Sequence, residues 1–300
     1  MSPVALILLM MALGWLLRRA PLPESLPLRL QWLVIYVLLP PLVWLSAQRI
    51  EWRGDVWLVI LLPWLLGIIA ALASWLIGRA MGWSRATIAC LMLCSALGNT
   101  AFLGYPLVRA LLGNDALPAA VIYDQLGTFL LLPTLGLWVT RVYAGAGEKR
   151  SFSTRAKELV IGIVRFPAVH ALWIGLLPLT PPEILRTVAS GLAALLVPVA
   201  MLSVGMQLKL VPARRLLAPA ATGLAIKLGL APLLAGMVMW AADAPPLLFE
   251  TAILQAAMPP MVTAGALATS AKLDPDLAAA LVGYGILLGV VWVPVLAWWV

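Results

Sequence analysis

Two otherwise apolar stretches of this chain bring polar and helix-breaking residues together: SALGNTAFLGYP (Ser95 to Pro106) and LQAAMPPMVTAG (Leu254 to Gly265). In the first, Gly98 frees the backbone, and Asn99 and Thr100 are residue types that cap a following half-helix. A half-helix N-terminus carries roughly half a positive charge, which suits a carboxylate. Tyr105, in the same segment, is a further candidate for ligand contact. In the second, Pro259 and Pro260 remove two adjacent backbone donors and free upstream carbonyls. Thr263 is placed to cap the next segment, and Gln255 lies one turn before the prolines. Asn99 is the leading candidate for contact with a ligand, the alternative being a purely structural cap.

Charge inside the apolar sequence is the second source of chemistry. Asp124 is the one carboxylate well inside an apolar segment, with Gln125 beside it and Thr128 one turn on. Lys227 lies too deep in its own segment to snorkel comfortably. Ionisable groups in such surroundings are costly and functional by default. Asp124 reads either as a coupling or ligand-organising carboxylate or as the ion-pair partner of Lys227; Lys227 either answers Asp124 or supplies positive potential for an anion. Cys90 and Cys94, four apart on one helix face, read as packing. With a single histidine, His170, they make an unpromising metal site, and no cofactor is expected. Phosphate-binding, zinc-protease and nucleophile-elbow motifs are missing, so the chain does not read as an enzyme.

The elements that position these residues follow from composition. The chain of 300 residues is 63% hydrophobic and 11% charged, with mean hydropathy +1.03, which describes an integral membrane protein. Stretches of about 17 to 25 mostly apolar residues fall at Ser2–Leu17, Leu30–Ala47, Val56–Gly78, Ala86–Leu112, Leu117–Thr140, Val160–Leu179, Ile184–Leu208, Leu216–Ala242, Pro246–Ala271 and Leu277–Val300. The net charge of +8 is spread over the short loops between them, so it reads as a topology signal and not as a nucleic-acid footprint. The odd-numbered loops hold 14 of the 20 Lys and Arg residues. They are therefore cytoplasmic, and both termini face outward.

The halves repeat weakly. VLLPPLVWLS (Val37 to Ser46) falls on LLVPVAMLS (Leu195 to Ser203), the two broken segments superpose, and AAVIYDQLGTFLLLP (Ala119 to Pro133) falls on AALVGYGILLGVVWVP (Ala279 to Pro294). A first repeat over 1–142, a cytoplasmic loop at 143–158 and a second repeat over 159–300 follow. Five spans is an odd number, so the second copy enters the membrane from the opposite side. The expected fold is an all-α membrane protein of ten transmembrane helices in a 5+5 inverted repeat, with helices four and nine broken and crossing near the bilayer midplane. Paired interruptions of this kind point to a transporter binding site, because freed backbone is tolerated in a bilayer only where protein or a water-filled cavity covers it.

On the opening ILLMMALGWLLRR with VIYVLLPPLVWLS, on GNTAFLGYPL, on YDQLGTF and on QAAMPPMVTAGALA, nearly the whole chain resembles the auxin efflux carrier family. That family includes bacterial permeases proposed for malonate and malate, and is similar in fold to bile-acid sodium symporters. The resemblance implies a scaffold of spans one, two, six and seven and a crossover domain of spans three to five and eight to ten. It places the carboxylate-holding asparagine on Asn99 and the second crossover's proline on Pro259 or Pro260. The long central loop of the plant carriers shrinks here to Tyr143 to Glu158, so its regulatory role does not carry over. The expectation is a secondary carrier of a small organic anion in a bacterial inner membrane, by alternating access, coupled to H+ or Na+ or to neither. Its partners would be the anion, the lipid bilayer and, in a homodimer, a second copy, with no nucleic acid. A sodium symporter of the bile-acid type and a non-transporting anion receptor are the competing readings.

Overall fold

The computed structural model describes residues 3–52, 54–143, 157, 161–208 and 214–300. Among them the chain is built from helices: α1 Pro3–Leu17, α2 Leu26–Ala47, α3 Val56–Ala80, α4 Arg85–Ala96, α5 Thr100–Leu112, α6 Asn114–Tyr143, α7 Pro167–Gly175, α8 Glu183–Gln207, α9 Leu217–Ala241, α10 Pro246–Ala256, α11 Val262–Ser270 and α12 Pro275–Trp299. Six of these, α2, α3, α6, α8, α9 and α12, are long and apolar enough to cross a membrane. At 1.5 Å per residue the 25 residues of α3 exceed the roughly 30 Å of a hydrocarbon core. Prolines 63, 133, 198 and 294 sit inside α3, α6, α8 and α12 without ending them. In apolar surroundings a helix keeps its remaining backbone bonds, since no water competes for them.

Four of the ten expected spans are not single helices of that length. The stretch Pro3–Leu17 is 15 residues long. Segments four and nine break where the sequence places its Gly-Asn-Thr and Pro-Pro clusters. The sixth is interrupted at its start: Phe166 is extended, as the residue before a proline prefers, and Pro167 opens α7. Helix α2 begins at Leu26, four residues before its expected start, with Pro27 in its first turn. Most of the central loop Tyr143 to Glu158, with Lys149, Arg150 and Arg155, lies outside the described residues, as does Lys209.

The chain forms two compact units that do not follow its halves. One takes the described residues of Met1–Trp52, Tyr105–Val121 and Lys149–Gln207. Within it α1 and α8 approach to backbone contact: a Cβ on Gly14 would overlap the Leu202 carbonyl, and one on Gly205 the Met11 carbonyl. Ser203 Oγ donates to the Pro27 carbonyl at 3.2 Å and accepts from Gln207 Nε2 at 2.9 Å.

The other unit takes the described residues of Arg53–Gly104, Ile122–Glu148 and Leu208–Val300. Its core is apolar and closely packed, with Leu91, Leu93, Leu97, Leu131, Leu277 and Leu281 each 2% exposed or less. Cys90 and Cys94 are buried free thiols in that core. Every polar cluster discussed below belongs to this unit.

Candidate functional site

Helix α4 stops at Ala96 because Leu97 turns extended (φ −103°, ψ 111°), and α10 stops at Ala256 ahead of the two prolines. The freed strands pair. Gly98 and Pro260 face each other in an isolated antiparallel bridge. Asn99 N–H donates to the Pro259 carbonyl at 2.8 Å, and Met261 N–H donates to the Leu97 carbonyl at 2.8 Å. Proline fits because this register asks Pro259 only to accept and asks nothing of a Pro260 N–H. Each break thus satisfies the other's backbone, which apolar surroundings require.

Two further features fix the crossing. The prolines rest on a face of α12 lacking side chains: a Cβ on Gly285 would lie 2.6 Å from Pro260 Cδ, and one on Gly289 2.9 Å from Pro259 Cδ. Beyond the first break, α5 opens with the π-helical turn Thr100–Gly104, and the N–H groups of Leu103 and Gly104 both point at the Asn99 carbonyl, at 3.3 and 3.0 Å.

Around the bridge the buried polar side chains converge. Asp124 is 2% exposed; its Oδ1 accepts from Thr100 Oγ1 at 2.5 Å and its Oδ2 from Gln125 Nε2 at 2.8 Å. Gln255, fully buried, donates through Nε2 to the Thr100 carbonyl at 3.3 Å. Lys227, 5% exposed, donates through Nζ to the Ala256 carbonyl at 3.1 Å, the last carbonyl of α10 and the negative end of that helix. Its chain runs over Gly98, where a Cβ would stand 3.0 Å from both Cε and Nζ. Asn99 is 2% exposed, and its Nδ2 is buried with no hydrogen-bond partner among the described residues. A buried amide donor left open costs about 1–3 kcal/mol.

The structure therefore unites Gly98, Asn99, Thr100, Asp124, Gln125, Lys227, Gln255, Pro259 and Pro260, and corrects two expectations about capping. Neither Asn99 nor Thr100 caps through its side chain: the Asn99 Nδ2 has no partner among the described residues, and Thr100 is already the first residue of its helix, its hydroxyl donating to Asp124. Thr263 does not cap α11 and is exposed; Met261 is the cap residue, without a side-chain bond. Of the hydrogen bonds described, those of Asp124 come from Thr100 and Gln125, and that of Lys227 goes to the Ala256 carbonyl. Tyr105 is fully buried but belongs with the first unit.

Sequence reasoning passed over the glycine seat of the prolines, although GILLG (Gly285 to Gly289) is a small-xxx-small motif of the kind that lets membrane helices approach. It also passed over Trp64 and Trp292, whose indoles bond backbone carbonyls of other helices. No spacing in the sequence announces the first of these.

Six helices long and apolar enough to cross a membrane, with two broken segments joined by a buried bridge, describe a multi-pass membrane protein. Comparison with known proteins agrees, since the profile described as "Membrane transport protein" matches residues 1–297. The chain belongs to this family, that of the auxin efflux carriers. It is 28% identical over 294 residues to an uncharacterized transporter of Methanothermobacter thermautotrophicus, covering 96% of this chain and 94% of the relative. It is 27% identical over 183 residues to an uncharacterized transporter of Methanocaldococcus jannaschii, covering 59% of this chain and 58% of the relative.

Proposed function

We propose that this transporter is a secondary carrier of a small organic anion, a mono- or dicarboxylate, and that the anion binds at the crossing of the two broken helices. The observation that carries the reading is the Asn99 Nδ2 donor, buried with no partner among the described residues at the N-terminal end of α5 and one residue from the Gly98 over which the Lys227 ammonium lies. A carboxylate is the ligand class that answers such a donor, the orphan N–H groups of a helix start and a cation together. Asp124, held by Thr100 and Gln125, is the counter-charge and the candidate for coupling to H+.

In this reading the ten apolar segments are ten spans in a 5+5 inverted repeat, over 1–142 and 159–300. The three interrupted segments cross as broken elements, and the short first one by local thinning of the bilayer. The protein sits in a bacterial inner membrane with both termini outside, and the unit that holds the crossing moves to expose the anion to either side in turn.

The test is thermal stabilisation of the purified protein by a panel of mono- and dicarboxylates, with and without sodium and at two pH values. A carboxylate is expected to raise the melting temperature, and Asn99→Ala to weaken its apparent affinity about 10-fold or more, the loss of a hydrogen bond to a charged group. Stabilisation by neutral or cationic solutes alone, or an unchanged response in Asn99→Ala, would sink the assignment. A sodium requirement would move the protein to the sodium-coupled class.

A further inference from the structure

Asp124 and Lys227 share a backbone feature that their chemistry does not require: each stands on a π-helical turn, Tyr123–Thr128 in α6 and Ile226–Leu230 in α9. The bonds there span five residues, from Phe129 N–H to the Asp124 carbonyl and from Ala231 N–H to the Ile226 carbonyl. Such a turn holds one residue more than an α turn, so where α spacing resumes a carbonyl is passed over. In both turns an indole from another helix of the same unit donates to a carbonyl beside the charged residue. Trp64 Nε1 reaches the Leu126 carbonyl at 3.0 Å, and Trp292 Nε1 reaches the Leu228 carbonyl at 2.8 Å. For Leu228 the sequence supplies a reason: its α-helical partner four residues on is Pro232, which has no N–H.

An α-helix turns about 100° per residue. Relaxing either turn to α spacing would swing the charged side chain by roughly that angle relative to the rest of its helix. The neighbours are built to hold the register. Pro63, beside Trp64, abuts Gly127 inside the first turn so closely that a Cβ there would overlap the proline ring. On α12, Trp292 follows Gly285 and Gly289 at helical spacing, so one helix bears on both Lys227's turn and the prolines.

We propose that Trp64 and Trp292 are positioning residues that hold these two turns in π register and thereby aim Asp124 and Lys227 at the crossing. The inference rests on the reading of that pair as the charged groups of the site. It is tested by chemical reactivity of the full-length protein in lipid nanodiscs, which needs no identified substrate. Dicyclohexylcarbodiimide labels Asp124 and acetic anhydride labels Lys227, each quantified by mass spectrometry in the wild type, in Trp64→Phe and Trp292→Phe, and in the corresponding His variants. The imidazole Nε2 occupies the ring position of the indole Nε1, so His keeps the N–H while losing the outer ring.

Trp64→Phe should change the labelling rate of Asp124 at least 3-fold and leave Lys227 within 2-fold of wild type. Trp292→Phe should do the reverse, and each His variant should return its site toward the wild-type rate. Equal change at both sites in either Phe variant, identical labelling across wild type, Phe and His forms, or His behaving as Phe would overturn the proposal. Uptake of radiolabelled malonate by Asp124→Asn and Lys227→Met is measured in parallel. Unimpaired uptake there refutes the functional reading of the pair, while the labelling pattern still decides the role of the two indoles.

Discussion

Asn99 and Thr100 are adjacent, equally buried and of similar polarity, yet the structure gives them opposite duties. The Thr100 hydroxyl donates to Asp124, whereas the Asn99 amide donates to nothing within the described residues. Thr100→Val therefore strips a donor from a buried carboxylate and should cost about 1.5–3 kcal/mol, the range for a hydrogen bond to a charged group. Asn99→Ala orphans no partner and should cost less than about 1 kcal/mol. Thermal melts in one detergent check the contrast; an Asn99→Ala protein melting well below Thr100→Val would show that the amide is structural. The sequence pointed to both residues, because polar types in an apolar run are conspicuous. It assigned both the capping role, because propensity reports what a side chain does when only its own backbone is near. The Thr100 hydroxyl donates to a carboxylate from a distant segment, and only the folded chain brings that acceptor there.

At the scale of elements, the crossing depends on α12 as much as on the broken helices. Gly289→Ala places a methyl group 2.9 Å from the Pro259 ring. Overpacking of this kind costs about 1–3 kcal/mol. Gly191→Ala, in α8, meets nothing within 4 Å and should leave the melting temperature unchanged or slightly raised. Equal melting of the two variants would show that the prolines are not seated where the glycines imply. The breaks themselves were legible, since two prolines or a Gly-Asn-Thr cluster cannot sit quietly in a continuous apolar helix. The π turns were not legible: YDQLGT and IKLGL each carry one glycine and no proline, which a continuous membrane helix tolerates, and the indoles that meet their carbonyls come from α3 and α12. The sixth segment read as continuous because hydropathy averages over a window and so passes over the extended Phe166 that Pro167 imposes.

For the whole molecule, the distribution of Lys and Arg predicts that both ends of the chain lie outside. A C-terminal alkaline phosphatase fusion should be active and a green fluorescent protein fusion dark; the opposite pattern would overturn the orientation read from Lys and Arg. The division into two units shows why halves read from sequence are not the bodies of the fold. Similarity is inherited along the chain, whereas packing gathers Arg53–Gly104 with Leu208–Val300 from opposite ends of it. The bridge at Gly98 and Pro260 has a consequence for biogenesis. While the second half is still on the ribosome, the Asn99 N–H and the Leu97 carbonyl have no partners, and lipid supplies none. The first half therefore reaches this bridged conformation only once the second is inserted.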